Sequence, residues 1–221
     1  SSLKSMLSSG GKAPEKIWED IYQAFGAIEV TTGYGMTEAT ASSTVTRPDD
    51  PVSRLKTTNG RLRDVGVAGE SSIDGKLVRY RVVDVNTNEV LKANAIGELR
   101  MKGIGVTAGY YNKPEETAAA FDAEGWFRTG DLAVLDEQGY ITLKGRTKES
   151  YRCGGELVLP LEVESVLTTH EGVAEAHVVA FPDDRMGEVG VACIISQSNA
   201  VLSEEALADF CRSRMARFKV P

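Results

Sequence analysis

Residues 28–39 read Ile-Glu-Val-Thr-Thr-Gly-Tyr-Gly-Met-Thr-Glu-Ala. Ile28 to Thr32 is a short run with β-branched side chains, which suits a strand. It empties into the turn Gly33-Tyr34-Gly35. Just upstream, Pro14 opens a stretch in which Ile17, Trp18, Ile21, Tyr22 and Phe25 recur at three- and four-residue spacing, with Glu15, Glu19 and Asp20 between them. That spacing puts the apolar side chains on one helix face. A proline in the first turn loses nothing, because an N–H there has no intrahelical partner. Gly26 ends the helix. Helix, strand, glycine turn is the rhythm of an α/β sheet. Ile28 to Thr32 then reads as an interior strand whose neighbours are expected outside this chain. Residues 1–50 are accordingly expected to order only against partners, another copy of the chain, or a segment outside this sequence.

Downstream the pattern turns to strands. Lys76 to Val85 is strand-like, Asn86-Thr87-Asn88 is a turn, and Gly97 to Lys102 is another short strand. Asp131 to Leu135 and Tyr140 to Lys144, joined by Asp136-Glu137-Gln138-Gly139, form an expected hairpin. Residues from about 55 to 145 read as a β-rich subdomain. Beyond Arg146 the pattern changes again. Pro160 starts a helix bearing Leu161, Val163, Val166 and Leu167. Ala176 to Phe181 and Val189 to Ser196 are strands. Ser203 caps a last helix, with Glu204 and Glu205 beside its positive end. The order α, β, β, α predicts a small α+β domain. The domain boundary is expected at 146/147.

The 221 residues carry 25 Lys plus Arg against 32 Asp plus Glu, a net charge of −7. That field disfavours nucleic acid as a partner. Cys153, Cys193 and Cys211 lack disulfide-framework or zinc spacing, and His170 and His177 lack a ligand cluster. A reducing cytoplasm is the expected location. No apolar run has the roughly 20 residues that span a bilayer, and no integral membrane segment is expected. Ser1 to Lys16 has no apolar core of signal-peptide type, and the chain lacks an initiator Met.

Three segments carry chemistry. In Thr32 to Ala39, two glycines allow close approach of a ligand to backbone. Tyr34 can stack on a base, Thr37 can bond a phosphate oxygen, and the Glu38 carboxylate suits Mg²⁺. An ordinary strand-to-loop turn accounts for this text equally well. In Gly125-Trp126-Phe127-Arg128-Thr129-Gly130-Asp131, the carboxylate of Asp131 can accept from a ribose diol; a turn Asp bonding its own backbone is the simpler alternative. In Gly145-Arg146-Thr147-Lys148-Glu149, Arg146 offers a planar fork of donors and Lys148 sits where a hinge would be. A charged linker is the alternative there. Trp126 is expected to pack in the core.

Taken together and in this order, YGMTEA, GWFRTGD and GRTKESYRCGGELVLPLEVE resemble the shared motifs of the adenylate-forming superfamily, with ELRMKGIGVTAGYYNKPEETAAAF as its connecting text. The texture is similar to acyl-CoA synthetases. The resemblance implies an α/β and α+β chain: residues 1–146 as the C-terminal part of a large AMP-binding domain with its β subdomain, and 147–221 as a hinge and truncated C-terminal lid domain. It implies ATP-dependent activation of a carboxylic acid, expected to be a fatty acid, to acyl-AMP, and transfer to coenzyme A. ATP or AMP, Mg²⁺ and coenzyme A are the implied cofactors, with assembly into a homo-oligomer left open.

Carried onto this sequence, the resemblance places Gly10, Gly11, Gly33, Tyr34, Gly35, Met36, Thr37, Asp131 and Arg146 around the nucleotide. Tyr34 stacks on adenine, Thr37 contacts phosphate, Glu38 binds Mg²⁺ and Asp131 holds the ribose. Thr37 and Glu38 are the implied catalytic pair. Gly154, Gly155 and Glu156 line the coenzyme A tunnel, and Lys148 is the hinge. The family's phosphate loop is expected upstream of residue 1 and its catalytic lysine beyond Pro221, so this chain alone is expected to be inactive. An amino-acid adenylation domain and a non-catalytic nucleotide-binding module are the competing readings.

Overall fold

The computed structural model describes residues 2–10, 15–26, 28–65, 68–198 and 200–221. Pro14 and Gly11, both singled out above, lie outside them. The chain divides into two compact units, Ser1–Leu143 and Lys144–Pro221.

In the first unit, β1 (Ser5–Ser8) precedes α1 (Glu15–Phe25) and β2 (Glu29–Thr32). β2 pairs in parallel with β1, Ser5 opposite Glu29 through Ser8 opposite Thr32. The expected interior strand therefore has a neighbour within this chain, four residues whose alternation is too polar to announce a strand. The connecting helix covers the pair, as a parallel crossover requires. Trp18 and Ile21 of α1 are buried with Ile28, Val30, Leu55 and Met6. Ile17, Tyr22 and Phe25 stay largely exposed, so the buried stripe is narrower than the spacing implied.

Short pieces follow: β3 (Gly35–Met36), β4 (Ala41–Ser42), β5 (Thr44–Val45), α2 (Val52–Thr57) and β6 (Arg61–Leu62). Then come β7 (Arg79–Val83), β8 (Ile96–Lys102), α3 (Pro114–Ala120), β9 (Phe127–Leu135) and β10 (Ile141–Arg146). The last strands form a sheet in the order β10-β9-β8-β7. The expected Asp136–Gly139 turn closes with Gly139 N–H donating to Asp136 O.

One face of this sheet holds Val82, Leu99, Ala133 and Ile141 beneath Tyr34. The other carries charge. Arg81, Arg100 and Arg128 lie in a row across β7, β8 and β9, where like charges side by side would repel. Acids offset them. Asp122 Oδ2 accepts from Arg81 at 2.7 Å and Arg100 at 2.9 Å, Glu98 binds Arg100 and Arg128, and Glu124 binds Arg81. Asp122 is held below its usual carboxylate range: burial opposes this, and the Trp126 N–H and the two guanidinium groups outweigh it. Trp126 is not in the apolar core. It stacks beneath Arg81 (4.4 Å) and Arg79 (5.1 Å), because the arginine row offers its indole a cation–π partner.

The second unit contains β11 (Tyr151–Cys153), β12 (Glu156–Val158), α4 (Pro160–Leu167), β13 (Val173–Asp183), β14 (Gly187–Ser196) and α5 (Glu204–Arg212). Its sheet order is β12-β11-β14-β13. Tyr151, Val158, Val163, Leu167, Val173, Val178 and Cys211 form its core. Ser203 caps α5, its Oγ accepting from Ala206 N–H at 3.2 Å. His170 packs edge-on against Phe210, and its Nδ1 accepts from Gly172 N–H. No helix among the described residues is long and apolar enough to cross a membrane.

Candidate functional site

The chain leaves β2 through Gly33, where a Cβ would stand 2.3 Å from Thr44 O; only glycine fits so close to another backbone. Tyr34 is then pinned at its main chain. Its N–H donates to Thr44 Oγ1 at 2.9 Å, and its carbonyl accepts from Ser43 and Thr44 N–H at 3.0 and 3.1 Å. From this fixed backbone the phenol reaches across the sheet and donates to Asp131 Oδ2 at 2.6 Å. Asp131 sits on β9, its N–H donating to Thr129 Oγ1, while Thr129 Oγ1 donates to Leu99 O. Two sequence motifs 97 residues apart thus meet in one hydrogen bond.

Both partners are sequestered, Tyr34 at 6% and Asp131 at 7% exposure. Burial first, and the Asp131 carboxylate second, push the Tyr34 phenol far above its usual range. Tyr80 lies 6.1 Å from the Tyr34 ring, and burial pushes its phenol up to about 12. The Tyr34 phenol is therefore a neutral donor to the Asp131 carboxylate, while the Tyr80 hydroxyl pairs with Ser43 Oγ; a carboxylate held this way can receive a hydroxyl pair. The Tyr34 ring is packed against the sheet in this structure, so no face of it is open to a base. Its apolar contacts with Val82, Leu99, Ala133 and Ile141 are the reason.

β3 and β4 form a narrow hairpin whose tip is a 3₁₀ turn over Thr37–Ala39. Met36 Sδ lies 3.7 Å from the Tyr34 hydroxyl. Ala39 is fully buried, Thr37 is exposed and Glu38 is half-buried. Thr40 closes the turn at φ 56°, uncommon for a β-branched residue. Glu38 is held at two points: its carbonyl accepts from Thr107 N–H at 2.8 Å and its Oε1 from Tyr110 Oη–H at 2.9 Å. Among the described residues no three His, Cys, Asp or Glu side chains converge as a metal cage. One carboxylate beside a hydroxyl residue still suits Mg²⁺, which keeps waters and substrate phosphates as most of its ligands.

The remaining candidates belong to other segments. Gly10 is exposed just after β1, with open space where a side chain would point. Arg146 ends β10 and Lys148 is exposed in the following turn, where Glu149 and Ser150 N–H donate to Arg146 O. Both belong to the second unit. So do Gly154 and Gly155, which form the two-residue turn between β11 and β12, at φ 60° and 89°. Positive φ at both positions is what a type I′ hairpin demands. Glu156, exposed, pairs with Cys153 across that turn.

The sequence reading missed Tyr80 and Tyr110. Tyr110 lies within the connecting text Glu98–Phe121. Its signal is the Gly109-Tyr110 pair between a strand and the Pro114 helix start, a place where an aromatic ring on a loop has no core to enter.

A family model described as "AMP-binding enzyme" matches residues 1–111, and one described as "AMP-binding enzyme C-terminal domain" matches residues 162–221. A 3-[(3aS,4S,7aS)-7a-methyl-1,5-dioxo-octahydro-1H-inden-4-yl]propanoyl:CoA ligase from Rhodococcus jostii is 36% identical over 221 residues, which is 100% of this chain and 38% of the relative. The long-chain-fatty-acid–CoA ligase FadD13 of Mycobacterium tuberculosis is 35% identical, with 99% and 40% covered. The chain thus spans about 40% of the length of such relatives. Among solved structures, ATP-bound MatB from Rhodopseudomonas palustris superposes with a TM-score of 0.83 at 29% identity, covering 97% of this chain and 40% of that one.

Proposed function

Because the chain belongs to the AMP-binding enzyme family, we propose that it is the nucleotide-holding part of a ligase that activates a carboxylic acid with ATP and passes the acyl group to coenzyme A. A carboxylate oxygen bonds the α-phosphorus, the bond from that phosphorus to the bridging oxygen breaks, and pyrophosphate leaves. A thiolate sulfur then bonds the acyl carbon and AMP leaves. A fatty acid is the proposed substrate, supported by the name of one relative above. The cytoplasm is the proposed location, in keeping with three free cysteines.

The observation that carries this reading is the Tyr34–Asp131 hydrogen bond. Asp131 accepts from the ribose hydroxyls, and Tyr34 keeps that carboxylate aimed until they take its place; the ring faces the base only once it has also left its apolar contacts with Val82, Leu99, Ala133 and Ile141. The backbone of Gly33, Gly35 and Met36 borders the nucleotide, with Gly10 and Gly11 further along it. Thr37 donates to a phosphate oxygen and Arg146 contacts the nucleotide. Mg²⁺ at Glu38, when bound, offsets charge on the phosphates. Lys148, in an exposed turn, absorbs the backbone change between the two half-reactions. Gly154, Gly155 and Glu156 present a side-chain-poor turn to the pantetheine arm.

The test is titration of AMP and of its 2′,3′-dideoxy analogue into the chain. Wild type binds AMP more tightly, by on the order of tenfold, as for hydrogen bonds to a charged group, and Asp131→Ala abolishes that preference. Equal affinities in wild type, or no AMP binding, overturn the proposal.

A further inference from the structure

The segment between β8 and α3 docks on the Thr37–Thr40 turn at three points. Thr40 Oγ1 donates to Gly105 O at 2.8 Å. Thr107 N–H donates to Glu38 O at 2.8 Å. Tyr110 Oη–H donates to Glu38 Oε1 at 2.9 Å. The segment is itself braced. Thr107 Oγ1 bonds Gly109 at both its carbonyl and its N–H. Tyr110 N–H donates to Thr117 Oγ1 on α3 at 2.9 Å. Gly109 permits this approach: at φ 149° its Cβ would fall 2.5 Å from Thr117 Cγ2.

We propose that Tyr110 is a positioning residue for Glu38, fixing through its phenol which carboxylate oxygen faces outward to a cation–phosphate ligand. The proposal rests on Glu38 acting as a metal ligand. A carboxylate on an exposed turn samples several rotamers, and immobilising it costs side-chain entropy at each binding event. Here the phenol takes one oxygen, and that cost is met in the folded chain. Tyr111, the next residue, is 92% exposed and serves as the control position.

The test is calorimetric titration of ATP into the full chain with and without Mg²⁺. Tyr110→Phe is expected to reduce the Mg²⁺-dependent gain in affinity by roughly three- to tenfold, the scale of one hydrogen bond to a charged group. It leaves metal-free affinity unchanged, and Tyr111→Phe matches wild type. A Tyr110→Phe chain with the full Mg²⁺ gain, while Glu38→Gln loses it, overturns the role of Tyr110 alone. A Mg²⁺ gain that is absent from wild type, or that survives Glu38→Gln, overturns the metal role of Glu38 and this inference with it.

Discussion

At Tyr34, burial and the Asp131 carboxylate keep the proton on the phenol; at Tyr80, burial does so against the hydrogen bond with Ser43. A phenolate beside Asp131 would place two negative charges within hydrogen-bond distance in a site of low exposure, so the proton stays on the phenol. The consequence for stability has a definite sign. Tyr80 titrates near 10 when free and is pushed up to about 12 in the fold, with Tyr34 raised in the same direction. The folded chain therefore holds these protons more tightly than the unfolded chain. The stability this gives is complete below pH 10 and drains as pH rises towards about 12. Denaturant midpoints followed by circular dichroism should fall across that window. Tyr80→Phe should flatten the fall. A wild-type midpoint that is constant across the window would contradict this account.

The β11–β12 hairpin explains its glycines without any ligand. Two residues link Cys153 to Glu156, and both lie at positive φ. Gly155 has nothing within 4 Å of where a Cβ would point, so a substitution there meets only backbone strain. Gly155→Asn should be close to neutral, because Asn tolerates the left-handed region. Gly155→Val should cost about 1–2 kcal/mol, read as a lowered unfolding midpoint of the second unit. Equal stability of the two variants would mean that the turn is not type I′. Such three-residue strands were not legible in the sequence, since three residues cannot display alternation. The Asp136–Gly139 hairpin was legible because apolar and β-branched runs, Leu132 to Leu135 and Tyr140 to Leu143, flank a turn sequence that ends in glycine. The parallel β1–β2 pairing was hidden for a different reason. Its partners are separated by a helix, and Ser-Met-Leu-Ser has no apolar face that announces it. At the site, the sequence supplied Tyr34, Glu38 and Asp131 as chemistry but not the phenol–carboxylate contacts, because residues 97 apart carry no mutual spacing signal.

Across the whole chain, each unit closes its own apolar core. Leu99, Ala133 and Ile141 belong to the first, and Val158, Val163 and Leu167 to the second. Lys148 lies just past the division, in an exposed turn after a strand that crosses it. Cores that share no residue are expected to open as separate cooperative units. Leu167, at 1% exposure, and Leu99, fully buried, make matched probes. Truncating either to Ala removes buried apolar area and leaves a cavity, costing about 2–5 kcal/mol. Hydrogen exchange in mild denaturant separates the outcomes. Leu167→Ala should speed exchange along β11–α5 and leave β7–β9 at the wild-type rate, with Leu99→Ala doing the reverse. If either substitution sped exchange equally in both stretches, the units would open as one, and Lys148 could not serve as a swivel between bodies that each stay folded while they move.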